Sequence, residues 1–469
     1  MKVLLIRPPR RHPLEQSLTV PPLGLAYIAG ALEKAGHTVE IWDAYIERWT
    51  WRKLERRLRD VYVDVIGFSA MTPMWDVICR ASALAKQSAR WQIVGGPHPT
   101  TVKLDIFQDA PFLTAGVVGE GEDVVVHLLD WLQNGQSGEA PKGVLHPRYP
   151  FVPADTPHIK SITWPARHLL DNRQYKYPLA GKRHIGTMIT SRGCPFRCSF
   201  CDKSVSGSAW RARSATDVVD EMAYMTQELG IQFINIYDDN FTLHRKRVLD
   251  ICVEIERRKL NVAWKCEGRV DNLDIEMLQA MKNAGCQMIA FGVESGNPDS
   301  LALLRKDINI EQTKETFALM QQVGVKSLAY MILGVPGETL EDVWTSIRFA
   351  KEIGADYVQF SSLSAMPGTP LSMQYDSGVS VRNWLDADAN RQTLTSLDEE
   401  TLQRAMKQAW RYFYLRPRPL YRLGRDLLRS GYIVEMGKGV MQAIWNEDNR
   451  SEKRGHQVKS NNFSRASEA

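Results

Sequence analysis

Three cysteines, Cys194, Cys198 and Cys201, fall within eight positions of a 469-residue chain that has seven. The C-x3-C-x2-C spacing sets three thiolates on one short stretch, SRGCPFRCSFCDKS (191–204). Thiolates gathered in this way suit a soft metal or an iron–sulfur cluster. A structural zinc site takes four ligands, most often as two C-x2-C pairs. No second pair exists, because Cys79, Cys252, Cys266 and Cys286 are isolated. Three thiolates on a four-iron cluster leave one iron without a protein ligand, and an open metal position is where a small molecule coordinates. A zinc loop completed by a distant ligand is the alternative. The four other cysteines read as small hydrophobes of strands and helices.

The elements that must position this stretch are repeated strand–helix units. Strands are expected at HIGTMITS (184–191), FINIYDD (233–239), AWKCEGRV (263–270), QMIAFGVE (287–294), SLAYMILG (327–334) and YVQFSSLS (357–364), with helices between. Six units make a partial barrel, whose chemistry belongs at the carboxyl ends of the strands. The cysteines follow the first strand at that end. Upstream, apolar runs at 2–9, 38–44, 64–70, 91–97 and 115–121 alternate with helical stretches. That pattern predicts an α/β, doubly wound Rossmann-like sheet. Its ligand edge carries Gly95, Gly96, Gly119 and Gly121. The expected division is a first domain over 1–140, a Gly/Pro-rich linker over 141–180, the partial barrel over 181–375, a helical segment over 376–446 and a polar, disordered tail over 447–469.

The formal net charge of +5, spread over this length, does not by itself imply nucleic acid. An odd cysteine count argues against a secreted disulfide framework. The start, MKVLLIRPPRR, lacks the apolar core of a signal peptide, and no apolar run reaches the length of a membrane span. A cytoplasmic protein is expected.

The cysteine spacing, with Phe200 before the third cysteine and a partial barrel around it, resembles the radical S-adenosylmethionine (SAM) enzymes over about 184 to 375. The resemblance implies that Cys194, Cys198 and Cys201 hold a [4Fe-4S] cluster. Its open iron would bind the amino and carboxylate groups of SAM and cleave it to a 5′-deoxyadenosyl radical. Phe200 and the Asp239 and Asn240 of IYDDN would then lie on the SAM side. Arg269, Glu294 and Ser295 would serve the ribose and carboxylate. Gly334 of LGVPGE, with Gly337, would let the backbone pass the adenine. Each has an ordinary reading too. Asp239 and Asn240 could cap the helix HRKRVLDI, Arg269 could pair with a neighbouring acid, and LGVPGE could be a glycine turn.

A doubly wound domain ahead of such a barrel resembles the cobalamin (B12)-binding radical SAM class. The matching stretches are RPP (7–9), 19–44, IGFSAMT (66–72), VGGPHPT (94–100) and VGEGED (118–123). The resemblance implies cobalamin contacts from Ser69, Thr72, Gly95, Gly96, His98, Gly119 and Glu120. One departure stands out. The D-x-H-x-x-G motif that supplies a histidine to cobalt is absent, its place reading RPPRRHPLEQ. His12 and His37 read as loop and turn residues, and His98 as a loop residue rather than an axial ligand. A domain that holds substrate, or no ligand, is the alternative.

The implied reaction is SAM- and cobalamin-dependent methylation of an unactivated carbon or a phosphorus centre. An oxidative cyclisation on the same scaffold is the second reading, and a cobalamin or cluster sensor the third. A methylthiotransferase needs another N-terminal cysteine cluster, whereas the first 190 residues hold only Cys79. Expected partners are a small-molecule substrate, with a hydrophobic or lipid-like one allowed, and a low-potential ferredoxin or flavodoxin; no nucleic acid is expected. The stretch WRYFYLRPRPLYRLGR reads as packing on the barrel and closing the active site, as peripheral membrane contact or, third, as a single-strand binding surface.

Overall fold

The computed structural model describes residues 1–11, 20–364, 366–374 and 394–430. His12, residues 431–446 and the 447–469 tail lie outside them. The first sheet contains β1 (Lys2–Arg7), β2 (Thr38–Asp43), β3 (Val63–Ser69), β4 (Ala89–Gly95), β5 (Ala115–Val117) and β6 (Val144–Leu145), in the order β2-β1-β3-β4-β5-β6. All pairs are parallel except β5 with β6. Along β1, Val3 and Leu5 join one apolar cluster and Leu4 and Ile6 another. This two-sided burial is what a helix-covered parallel sheet requires, and it explains why the strands read as unbroken apolar runs. The order reverses between β1 and β3, so a crevice opens beyond their carboxyl ends. Strand β6 was not expected. It comes from the linker, whose Leu145 and Val144 pair with Gly116 and Val117.

The second sheet comprises β7 (Ile185–Met188), β10 (Phe233–Ile236), β11 (Ala263–Gly268), β12 (Cys286–Glu294), β13 (Lys326–Leu333) and β14 (Tyr357–Ser362). They run in the order β14-β13-β12-β11-β10-β7, every pair parallel. All six expected strands are present, and they make an open, partial barrel. Its outward side chains, such as Ile234, Trp264, Phe291 and Ala329, pack with the surrounding helices. Between β7 and β10 a short antiparallel hairpin, β8 (Ser191–Arg192) and β9 (Arg211–Ala212), brackets the cysteines.

The remaining segments brace the barrel. In the linker, the Tyr175 hydroxyl donates to Asp43 at 2.9 Å, and the Tyr177 ring stacks on Phe233. The helix Glu399–Tyr414 docks on β14, where the Tyr414 hydroxyl donates to the Val358 carbonyl at 2.7 Å. The helix Pro417–Ser430 sets Asp426 against Lys326 and Tyr357, at the amino ends of β13 and β14. The described part of this basic segment thus packs on the barrel, but with Asp426 at the strands' amino ends rather than over the cysteine loop, so that contact does not close the active site. Among the described residues, no helix is long and apolar enough to cross a membrane.

Candidate active site

The three cysteines sit in the loop between β8 and β9, at the carboxyl end of β7. Contacts that do not involve sulfur fix its shape. Gly193 has φ +83°, and a Cβ there would run into the Ala209 carbonyl. Its N–H donates to Asp239 at 3.1 Å. Lys203 donates to the Cys194 carbonyl at 3.1 Å, and Ser199 donates to the Leu303 and Leu304 carbonyls. All seven cysteines are free. Among the described residues, no three His, Cys, Asp or Glu side chains converge on one ion. Three thiolates on one loop fit a cube of four irons, one thiolate per iron, with one iron left open. Burial raises the Cys194 thiol, and raises Cys201 to about 11.

The residues expected on the SAM side gather around the carboxyl ends of the strands. Asp239 faces the cysteine loop, and burial together with Asp238 raises its carboxyl. The helix that follows is capped by His244, which accepts from the Arg247 N–H, so neither Asp239 nor Asn240 caps it. Asn240 is buried, accepts from the Thr242 hydroxyl at 3.0 Å and leaves its amide nitrogen without a partner. Glu294 has φ +66° at a shift of register in β12 and accepts from Lys306 at 2.7 Å. Such left-handed strain at a strand end is typical of functional sites. A Cβ on Gly292 would collide with that ion pair. Ser295 is buried against the Ser346 hydroxyl at 2.8 Å. Arg269 forks onto Asp271, donates to the Lys306 carbonyl and lies 3.6 Å above the Phe196 ring. Phe200 packs with the small cluster of Leu304, Val335, Leu363 and Leu371, and the Lys306 ammonium lies 5.7 Å from its ring.

The LGVPGE turn is organised by Glu338, which sequence reasoning missed. Its buried carboxylate accepts the N–H groups of Gly334 and Val335, each at 2.9 Å, and the Ser300 hydroxyl. Gly334 has φ +80° and lies against Leu402 and Thr395. The close approach it permits is therefore to the C-terminal segment.

Beyond the carboxyl ends of the first sheet lies a cavity of about 280 Å³. Ser69, Gly95, Gly96, Gly119 and Glu120 line it, and so do Arg192, Val205 and Ser206 of the cysteine hairpin. Gly96 has φ +103°, and a Cβ there would stand 2.8 Å from the Ala70 carbonyl. The wall is mostly apolar and glycine-rich, open to a bulky ligand that passes close to the backbone. Glu120 is not free. Arg192 donates to it at 2.8 Å and to Glu122 at 2.5 Å, and Arg211 also pairs with it. This buried group bonds the first domain to the residue two before Cys194. Only Gly119-Glu120-Gly121 beside an arginine two before the cysteines could have hinted at it.

His98 and Thr72 stand behind the cavity rather than in its lining. The His98 ring bonds Thr72 at 3.2 Å and packs, tilted, against Trp75 with centroids 4.4 Å apart. Burial lowers its pKa from 6.5 to about 4. The fold therefore holds a neutral ring that the unfolded chain protonates first, so stability is full above pH 6.5 and declines as pH falls towards 4. Denaturant titrations across that range should show a loss of roughly 3 kcal/mol from this group. His98→Phe, which keeps the ring contact with Trp75, should remove that share of the decline.

Comparison with known proteins agrees with this geometry. Residues 188–350 match the Radical SAM superfamily, and residues 16–129 match the B12 binding domain. The chain is 32% identical over 466 residues to an uncharacterized methyltransferase of Pyrococcus horikoshii, covering 95% of this chain and 99% of that one. It is 26% identical over 444 residues to the anaerobic magnesium-protoporphyrin IX monomethyl ester cyclase of Rubrivivax gelatinosus, covering 90% and 79%. Its fold resembles the radical SAM methyltransferase TsrM of Kitasatospora setae, solved with cobalamin and a [4Fe-4S] cluster, at a TM-score of 0.68 and 21% identity, covering 80% and 75%. A Rossmann-like ligand domain joined to a radical SAM barrel defines the class. The chain belongs to the B12-binding radical SAM enzymes, and its cofactors are a [4Fe-4S] cluster, SAM and cobalamin.

Proposed function

We propose that the protein is a cobalamin-dependent methyltransferase acting on an unactivated carbon of a small molecule. The observation that carries this is the shared wall. The glycine-lined cavity of the first sheet is closed on one side by Arg192, Val205 and Ser206 of the cysteine hairpin. A ligand on the first domain therefore lies against the loop of the second. Similarity along nearly the whole chain to a methyltransferase supports the same reading. When bound, the cluster with SAM supplies a hydrogen-abstracting radical, and cobalamin supplies a transferable methyl group.

The chain's own residues hold and orient. Cys194, Cys198 and Cys201 take the cluster, and a thiol gives up its proton when it becomes a ligand, so loading releases protons. Asp239 and the Asn240 amide nitrogen, which has no partner, face SAM. Glu294 and Arg269 act from fixed positions, held by Lys306 and Asp271. Ser295, Phe200 and Gly334 shape the surrounding walls. Ser69, Gly95, Gly96 and Gly119 receive the cobalamin tail, with Thr72 and His98 bracing them and Glu120 tying that edge to the barrel. Electrons come from a low-potential ferredoxin or flavodoxin.

Oxidative cyclisation is the second reading, favoured by the similarity to an anaerobic cyclase over 90% of this chain. Trideuteriomethyl-SAM separates the two. Holoenzyme turning over on a metabolite extract should form S-adenosylhomocysteine beside 5′-deoxyadenosine, with a product heavier by one labelled methyl. Deoxyadenosine alone, with no labelled product, would favour cyclisation. Gly96→Ala should retain the cluster but lose cobalamin on desalting. Its left-handed backbone and the Ala70 carbonyl together cost about 1–3 kcal/mol at the cradle. Unchanged cobalt in that variant would remove the cradle from the account.

A further inference from the structure

The helix Pro417–Ser430 turns one face to the barrel and another to solvent, and the solvent face is the unusual one. Toward the barrel, Pro419 and Asp426 are buried and Leu423 packs with the apolar layer. Arg422 pairs with Asp356, and Asp426 accepts from Lys326 at 3.2 Å. The outward positions are apolar. Leu420, Tyr421 and Leu428 are 50%, 70% and 68% exposed. With Pro417 and Gly424 they fall at i, i+3, i+4, i+7 and i+11, one continuous stripe of a helix. Arg418, Arg422 and Arg425 form the adjoining stripe, and Arg418 is exposed. From 411 to 425 the chain carries five arginines and no acid. A surface helix ordinarily puts its apolar stripe on the core and its charges in water. Single exposed apolar side chains are ordinary, but a continuous stripe marks a surface that something covers.

We propose that this stripe docks the enzyme, as a peripheral protein, on an anionic lipid surface. The argument is charge complementarity joined to an apolar face. A helix that lies in the headgroup region sinks its apolar side chains to the acyl boundary and sets its cations among anionic headgroups. Leu420, Tyr421 and Leu428 supply the first part, and the arginine stripe beside them supplies the second. Tyr421 carries both an apolar ring and a polar tip, which suits a membrane interface. A second copy of this chain suits the stripe less well, because a two-fold contact would bring the arginine flank against its own copy. The orientation follows from the barrel. Lys326 opens β13, and Asp356 and Tyr357 stand at the start of β14, so the helix lies at the amino ends of the strands. The cysteine loop lies at the carboxyl end of β7. Docking therefore anchors the enzyme without taking the active site into the lipid.

The inference is independent of the reaction, and its test needs no turnover. The full-length, cluster- and cobalamin-loaded enzyme is sedimented with phosphatidylcholine vesicles that contain phosphatidylglycerol, and with vesicles of phosphatidylcholine alone. The mixed vesicles should carry the enzyme down and the neutral ones should not. Tyr421→Ser and Leu428→Ser should each weaken binding about tenfold, the effect of removing one apolar side chain from the lipid boundary. Arg418→Glu should weaken it about tenfold at low salt and much less at high salt, where surface charges are screened. All three side chains are exposed, so iron and cobalt content should stay at the wild-type level and certify the fold. The misfolding of one variant leaves the other two decisive. No sedimentation with the mixed vesicles overturns the proposal. So does equal binding to neutral vesicles, or binding that every folded variant leaves unchanged. Self-association of the wild type that Tyr421→Ser abolishes, without vesicle binding, would give the stripe to a second copy and overturn it too.

Discussion

Changing any one of Cys194, Cys198 or Cys201 to alanine should abolish cleavage of SAM while leaving the protein folded. On the proposed ligand set each thiolate serves a different iron, so the loss of one leaves the cluster short of a ligand that no neighbour can replace. Cys79, Cys252, Cys266 and Cys286 are set in other elements, the last three of them buried. The loop does not depend on sulfur for its shape. The Gly193 N–H to Asp239, Lys203 to the Cys194 carbonyl, and the two bonds from Ser199 remain in each variant. Iron per chain should fall well below the value of about four for a complete cluster. The thermal transition of the metal-free variants should match that of the metal-free wild type. Deoxyadenosine assayed under dithionite checks the first claim, and calorimetry checks the second. Wild-type cleavage in any single variant would contradict the ligand assignment.

The second large effect is expected at the joint between the sheets. Arg192→Ala removes the one side chain that bonds both Glu120 and Glu122, all three of them under a tenth exposed. Arg211 stays on Glu120, but Glu122 loses its arginine partner. Breaking a buried pair from one side costs about 3–5 kcal/mol, because the remaining charge is stranded away from water. Urea unfolding should show a loss of that order. Lys142→Ala provides the scale, since its pair with Asp155 is exposed on both sides and such pairs contribute about 0–1 kcal/mol. Because Glu120 lines the cavity and Arg192 lies two residues before Cys194, the Arg192 variant should also retain less cobalamin. Equal stability losses in the two variants would contradict the buried character of the joint.

Much of this was legible in the chain. The apolar runs found every long strand, because a parallel sheet buried on both faces leaves a period-free hydrophobic signal. The cysteine motif and the strand pattern together put the three-cysteine loop at the carboxyl end of the first barrel strand, where it lies in the structure. What escaped were contacts between segments distant in sequence. Arg192 and Glu120 are 72 positions apart, and Lys306 and Glu294 are 12. Strand β6 is two residues long, within a Gly- and Pro-rich stretch, and exists only because Gly116 and Val117 offer it an edge. His98 and Thr72 belong to matching motifs, yet the fold turns them behind the cavity, where Trp75 covers the ring. The buried Lys265–Glu267 pair inside the barrel did leave a signal that went unread. Lys265 and Glu267 alternate with Trp264 and Cys266 in a strand that should be apolar on both faces. Charges placed at a period of two in such a strand mark a polar lumen.

The most direct test of the account is the metal content of anaerobically purified protein. The protein would be reconstituted with iron, sulfide and hydroxocobalamin and then desalted. The account predicts about four irons and four sulfides per chain, as a complete cluster requires, with one cobalt retained alongside them. Full iron with no retained cobalt would contradict it, since the shared cavity would then hold something other than cobalamin and methyl transfer would lose its carrier.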